Sequence, residues 1–353
     1  LIEPNTTNRF TSSDALFSYM QLGIPLRKNW GMSLGLRPLT RVSYRINREE
    51  FLFDPITGDS IGNSTTQFRG SGGTYLPSIG TGFGFNLSPK TLLSAGVNMG
   101  YLFGRRENET LRSIDNDSVF HYGSDHNTKS YFGDIFFNAG LQLEASLNST
   151  TVLRIGASGN WQQNLNASQD ILRQSFVLGS SGEVIQVDSV QQVDDLKGEV
   201  IYPASYKFGF VLQSNKADRG WLFGADYTQD KWSNYRYFGK VDSVQDSWMV
   251  NMGGQFYPRQ QSSYFSKLIY RFGFNFGKDY IKVNNELPVF GASFGVGVPM
   301  RISRTSPYQV SRINLSFEYG KRGNNDNLLK ENLFRASASF NLTDLWFIKR
   351  KYD

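Results

Sequence analysis

The sequence predicts an all-β chain, a transmembrane antiparallel up-and-down β-barrel, and three observations carry that reading. Apolar residues recur at every second position over stretches of ten residues or more, glycine and aromatic residues are both abundant, and the stretches are joined by short and long connections in turn. A period of two marks a strand with two unlike faces. Gly makes up 35 of the 353 residues and aromatic residues 15%, against a usual glycine content of about 7%. Aromatic residues favour strands.

The elements follow in order. After a first stretch at 15–26, residues 30–46 set Met32, Leu34, Leu36, Pro38, Thr40, Val42, Tyr44 and Ile46 on one parity. The other parity holds Ser33, Gly35, Arg37, Leu39, Arg41, Ser43 and Arg45. A third stretch spans 66–87. In 91–106 the apolar parity is Leu93, Ala95, Val97, Met99, Tyr101 and Phe103, and its complement is small or polar apart from Leu102. The same alternation recurs in Phe137 to Leu147, Leu153 to Trp161, Trp221 to Tyr227, Trp248 to Phe256, Leu268 to Phe276, Phe290 to Met300, Ile313 to Tyr319 and Phe334 to Leu342. Strand segments at 128–147, 150–177, 183–213, 220–240, 245–258, 265–283, 285–300, 309–323 and 328–343 bring the count to thirteen. Tight connections such as Pro25 to Asn29 and Asn86 to Thr91 fall at one end. Long polar ones, Asn47 to Thr66 and Glu107 to Thr128, fall at the other.

Length separates a membrane barrel from a soluble sandwich. Soluble strands are typically about 5–6 residues long, and several here alternate for ten or more. A barrel of more than about eight strands has a lumen too wide for side chains to fill simply. The apolar parity is therefore expected to face lipid and the Gly/Ser/Asn/Arg parity to face a wet interior. Trp30, Tyr44, Trp161, Trp221, Trp248 and Trp346 would form interfacial girdles. No window holds the roughly 18 apolar residues of a spanning helix, and the mean hydropathy is −0.40. Bacterial single-chain barrels have an even number of strands, so thirteen visible strands imply fourteen in the intact protein. Residues 1–353 are read as one barrel domain, with a signal peptide, an N-terminal hatch and the first strand expected upstream of Leu1.

Composition narrows the function classes. There is no Cys, which excludes disulfides, thiolate metal sites and Cys nucleophiles, and only two His occur, His121 and His126. The net charge is +6 with basic residues spread along the chain, so no nucleic-acid stripe is present. No catalytic group, metal or cofactor is expected. Gly291 to Gly295 fits G-x-S-x-G, but no His follows Ser293 and no helix is expected there. His121, Asp125 and His126 read as a solvated loop.

By parity, the inward charges include Arg37, Arg41 and Arg45 on one strand face, a row suited to a carboxylate or phosphate headgroup or to an acidic plug segment. Asp226, Glu318, Arg322, Glu331 and Arg335 form an expected lumen network, with Glu318 and Arg335 pairing across neighbouring strands. Pro38 sits inside a long strand, where it cannot donate a ladder hydrogen bond, and is the candidate for a lateral opening.

Several segments resemble the FadL/TodX-type outer-membrane hydrophobic-compound transport family in its Bacteroidota branch. They include Gly23 to Pro38, Gly70 to Tyr75 with Gly100 to Gly104, Tyr202 to Tyr206 with Trp221 to Tyr227, Gly291 to Pro299, Glu318 to Gly323, and Trp346 to Asp353. The resemblance covers nearly the whole chain from about Ser18 on. It implies a fourteen-stranded bacterial outer-membrane barrel with a hatch, and passive passage of hydrophobic or amphipathic molecules such as long-chain fatty acids. It also implies an opening on the third strand, where Pro38 falls. Family members also serve as non-transporting barrel subunits of outer-membrane assembly or secretion complexes, so the expected partners are lipid, a hydrophobic small molecule and other envelope proteins. The fold transfers more safely than the activity.

Overall fold

The computed structural model describes residues 19–116, 119–179, 183–216, 219–259, 263–283, 285–300, 312–327 and 330–341. Among these residues seventeen strands make one sheet. They are β1 (Met20–Arg27), β2 (Trp30–Phe53), β3 (Ser60–Ser88), β4 (Thr91–Asp115), β5 (Gly123–Ser146), β6 (Thr151–Asn160), β7 (Gln163–Leu178), β8 (Val184–Tyr202) and β9 (Ser205–Lys216). Then come β10 (Arg219–Asp230), β11 (Arg236–Tyr237), β12 (Lys240–Val241), β13 (Ser247–Tyr257), β14 (Ile269–Val283), β15 (Asn285–Pro299), β16 (Arg312–Arg322) and β17 (Glu331–Asn341).

Each wall strand pairs antiparallel with its neighbour. β6 and β7 run one after the other along β5, broken at Trp161–Gln162. β9 then pairs with β6 and β8 with β7, broken at Pro203–Ala204. With each of these two broken strands counted once and the β11–β12 hairpin set in a loop, the described residues make thirteen wall strands, the number of segments that the sequence gives. β1 pairs with β2 and β17 with β16. Both end strands run from the loop end toward the turn end.

The apolar parity points outward. Leu34, Val97 and Leu315 are 40%, 45% and 43% exposed, as lipid-facing residues of a barrel are when no bilayer surrounds them. On β4 the outward apolar band runs from Leu93 to Phe103, close to the roughly 9–11 residues a membrane strand needs. Two expectations about the ends of elements are corrected. Residues 47–53 and 60–66 are not loop but the upper halves of β2 and β3, paired with each other, and 107–115 and 123–128 likewise extend β4 and β5. These segments lie beyond the lipid band, so no apolar parity marks them. Conversely, 231–240 is not wall: after Asp230 the chain forms a 3-10 turn at Trp232–Asn234 and the β11–β12 hairpin.

The barrel rim is uneven as a result. β2, β3, β4 and β5 have 24, 29, 25 and 24 residues, while β13 to β17 have 11 to 15. At about 3.3 Å per residue, one side stands well above the membrane while the other barely clears it. The short turns lie at the opposite end, which in such barrels is periplasmic.

Candidate functional site: the packed interior and the sealed seam

The ladder is defective at one height across four strands. β2 carries a bulge at Leu39, where Pro38 pairs with Tyr75 and Thr40 with Thr74. β3 and β4 skip Leu76 and Pro77 between otherwise continuous pairs. The pairing of β5 stops at Ala139 with Gly159 and resumes at Phe132 with Ala167. In a bilayer, backbone groups that lose the ladder must be satisfied internally. The Gln163 carboxamide does this for Phe137: the Phe137 N–H donates to its Oε1 at 2.8 Å and its Nε2 donates to the Phe137 carbonyl at 3.1 Å. Gln163 is buried. Asp134 closes the rest of the seam, accepting from the Asn166 N–H at 3.0 Å and from Asn166 Nδ2 at 2.7 Å. Trp161 stacks on Phe137 at 6.1 Å.

Behind the seam lies the interior apolar cluster. Leu76, Leu102, Phe136 and Leu165 are 2–3% exposed, and Leu39 and Tyr202 pack against them. Ring contacts extend the cluster toward the mouth. Phe136 meets Tyr202 at 5.3 Å, Tyr202 meets Trp232 at 6.0 Å, and Trp232 stacks on Tyr280 of β14 at 4.8 Å. The loop carrying Trp232 is tied down further on. β11 pairs with β8 at Ile201 and Val200, the Tyr237 hydroxyl bonds to Ser130, and Arg106 lies over the Tyr237 ring at 5.3 Å. Phe238 covers Gly198, where a Cβ would collide with the ring.

At the base of this loop, Asp246 accepts from the Ser233 hydroxyl at 2.6 Å, the Ser233 N–H at 3.0 Å and Lys231 Nζ at 3.0 Å. Burial works to raise the Asp246 carboxyl. The Ser233 hydrogen bonds and the Lys231 ammonium outweigh it and hold the group below its ordinary value of 3.8. A depressed carboxyl stabilises the folded form above its unfolded value, and that contribution is lost as pH falls through the folded one. The loop is therefore expected to stay docked at neutral pH and to loosen only below about pH 4. Hydrogen exchange at 232–238 measured down a pH series checks this, and an Asp246→Asn variant should lose the dependence. Burial also pushes the Tyr235 hydroxyl up to about 12, so it stays protonated throughout that series.

The charged residues singled out in the sequence are only partly gathered. Arg37 lies opposite Leu76 on the inner face. The Leu39 bulge inserts one residue and reverses the parity beyond it, so Arg41 and Arg45 lie opposite Gly73 and Arg69 on the outer face. The single row of three arginines is thereby corrected to one inward and two outward. Arg37 borders an inner cavity of about 410 Å³, with Ser78, Asn98 and Asn138 as polar neighbours and Leu76 and Phe136 as apolar ones. Asn98 donates to Asn138 at 2.9 Å. Pro38 does mark the irregularity, but β2 and β3 pair on both sides of it. On its other edge β2 pairs with β1 only as far as Leu36 among the described residues, and a longer ladder break lies between β5 and β6–β7. Glu318 meets Arg335 at 3.3 Å, and Arg322 meets Glu331 at 3.1 Å and Asp279 at 2.5 Å. Asp226 is apart from them on β10, between Gly209 and Asn251. Gly291 to Gly295 lies in the ladder of β15. Asp125 is buried opposite Gln174, whereas His126, the next residue along, is exposed opposite Arg173. Among the described residues no group of three His, Cys, Asp or Glu is placed to hold a metal ion. Gln163 is not legible in the sequence, since no spacing rule singles out an amide that repairs a ladder, whereas parity places Asp134 among the inward charges and Trp232 falls in one of the segments that carry the resemblance.

A family model described as BamG matches residues 3–353. The chain belongs to the BamG family. BamG proteins are outer-membrane β-barrels, and this chain is one. Among solved structures, it is similar to a Pseudomonas aeruginosa FadL homologue at 12% identity, covering 91% of this chain and 75% of that one, with a TM-score of 0.49. It is also similar to the Pseudomonas putida toluene transporter TodX at 13% identity, covering 91% and 81%, with a TM-score of 0.42. No curated protein matches. The motifs thus resemble one family, while the match over the whole chain assigns it to BamG.

Proposed function

We propose that this BamG-family barrel is a non-transporting structural subunit that docks other envelope proteins through its tall extracellular wall. The observation that carries the reading is the height of β2 to β5 and what stands at their tips. Ile56 is 92% exposed, Phe120 70%, and Phe51, Phe53 and Tyr122 60% each, with Phe51 against Phe53 at 5.5 Å and Phe120 against Tyr122 at 5.1 Å. Clustered apolar rings held in water at the end of a rigid sheet mark a protein-binding surface. The packed interior agrees with this role, because the cluster and the docked loop occupy space a conduit would use. In this reading the barrel is an anchor.

Purification in mild detergent is expected to bring other envelope chains down with the protein. A Phe51→Ser, Phe53→Ser, Phe120→Ser variant is expected to lose them while keeping the heat-resistant gel mobility of a folded barrel. Recovery of the protein alone, or unchanged companions in the variant, counts against docking.

One observation favours a second reading, passive passage of hydrophobic or amphipathic molecules such as long-chain fatty acids. The 410 Å³ cavity sets Arg37 beside Leu76 and Phe136, a cation next to apolar walls, as an acidic headgroup and its chain require. In this reading Arg37 holds the headgroup, Arg41 and Arg45 meet acidic amphiphiles from outside, and the charges of β10, β16 and β17 keep the lumen braced. Fatty-acid uptake into liposomes that falls in Arg37→Ala supports passage, and uptake no faster than in protein-free liposomes removes it.

A further inference from the structure

Four of the outward cations follow a rule that neither function above uses. On four strands an outward aromatic ring is followed, two residues nearer the loops, by an outward cation. The pairs are Phe103 with Arg105 on β4, Tyr131 with Lys129 on β5, Phe276 with Lys278 on β14, and Tyr319 with Lys321 on β16. Cross-strand register keeps them on the lipid side: Arg105 lies opposite Tyr131, Lys278 opposite Trp248 and Lys321 opposite Phe290. All four rings are 37–43% exposed. Amphipathic rings settle at the headgroup level of a bilayer, so a cation one outward position higher lies at the depth of the lipid phosphates.

The four cations are not equivalent. Lys129 lies 3.7 Å from Glu107 and Lys278 2.7 Å from Glu286, which neutralises much of their charge. Among the described residues, Arg105 and Lys321 have no carboxylate partner. Arg105 lies opposite Gly73 of β3, which has no side chain to pair with the guanidinium. A neutral lipid surface offers these two cations nothing that water does not. A phosphate monoester offers charge-assisted hydrogen bonds, bidentate in the case of Arg.

We infer that Arg105 on β4 and Lys321 on β16 each hold a phosphate group of a phosphorylated lipid of the outer leaflet at their own place on the wall, with Phe103 and Tyr319 packed on the upper acyl carbons. The lipid is a specific ligand of the barrel wall and not bulk solvent. The test uses the detergent-purified protein with three probes: bisphosphorylated lipid A, fully dephosphorylated lipid A, and inorganic phosphate. Native mass spectrometry is expected to show about tenfold greater retention of the bisphosphorylated form. An Arg105→Gln, Lys321→Gln variant is expected to abolish that preference, and inorganic phosphate at equal concentration is expected not to compete. Equal retention of the two lipids by the parent protein overturns the inference without any variant. An unchanged preference in a folded double variant also overturns it, and effective competition by inorganic phosphate overturns the assignment to a lipid.

Discussion

A Gln163→Leu barrel is expected to be about 2–5 kcal/mol less stable than the parent, and its instability should be concentrated at one seam. Leu keeps most of the volume of Gln, so packing against Phe137 and Trp161 changes little. What disappears is the pair of hydrogen bonds to the Phe137 N–H and carbonyl. Each buried backbone group left unsatisfied costs about 1–3 kcal/mol, and both lie at membrane depth, where no water can replace the lost partner. Backbone amide exchange should rise at 133–138 while β13 to β16 stay protected. The Gln163→Glu variant sharpens the test. A carboxylate can still accept from the Phe137 N–H but cannot donate to the carbonyl, so only part of the stability returns. Equal stability of Gln163→Leu and the parent would mean that the seam is sealed by something other than this amide.

Truncating Phe136 should be the most damaging change in the interior. Phe136 is 3% exposed and joins the cluster of Leu76, Leu102 and Leu165 to Tyr202. Large-to-Ala substitutions of buried aromatic residues cost about 3–5 kcal/mol. The loss should also spread upward. Tyr202 would no longer be braced from below, and the contact from Trp232 to Tyr280 would have one support fewer. Phe136→Ala is therefore expected to raise exchange at 232–238, whereas Leu315→Ala on the lipid face, 43% exposed, leaves that loop protected. If Phe136→Ala destabilises the barrel and the loop does not loosen, the mouth is held by β8 and Ser130 and not by the aromatic chain.

The two predictions involve residues of different legibility in the sequence. Phe136 belongs to an alternating stretch, and its position on the small and polar parity already marks it as an inward ring. Gln163 follows Trp161 in a polar run with no apolar period, and nothing local distinguishes it from a loop amide. The same contrast divides the arginines. Arg37, Arg41 and Arg45 alternate without a break in the sequence, but the single extra residue at Leu39 moves the last two to the other face. Pro38 beside it is the visible sign of irregularity, and a proline restricts pairing without fixing which way the next side chain turns.

The sequence by itself determined the all-β class, the thirteen wall strands, the outward apolar band and the ion pair of Glu318 with Arg335. All of these depend on a period of two repeated over segments long enough to cross a bilayer, and the solvent on each side enforces that period. Only the tertiary structure decided how far the strands rise above the membrane, where the ladder breaks, what seals it and which loop folds into the mouth. Outside the bilayer both faces of a strand can be polar, and a bulge or a hydrogen-bonding side chain depends on neighbours more than twenty residues away in the chain, so no local alternation records them.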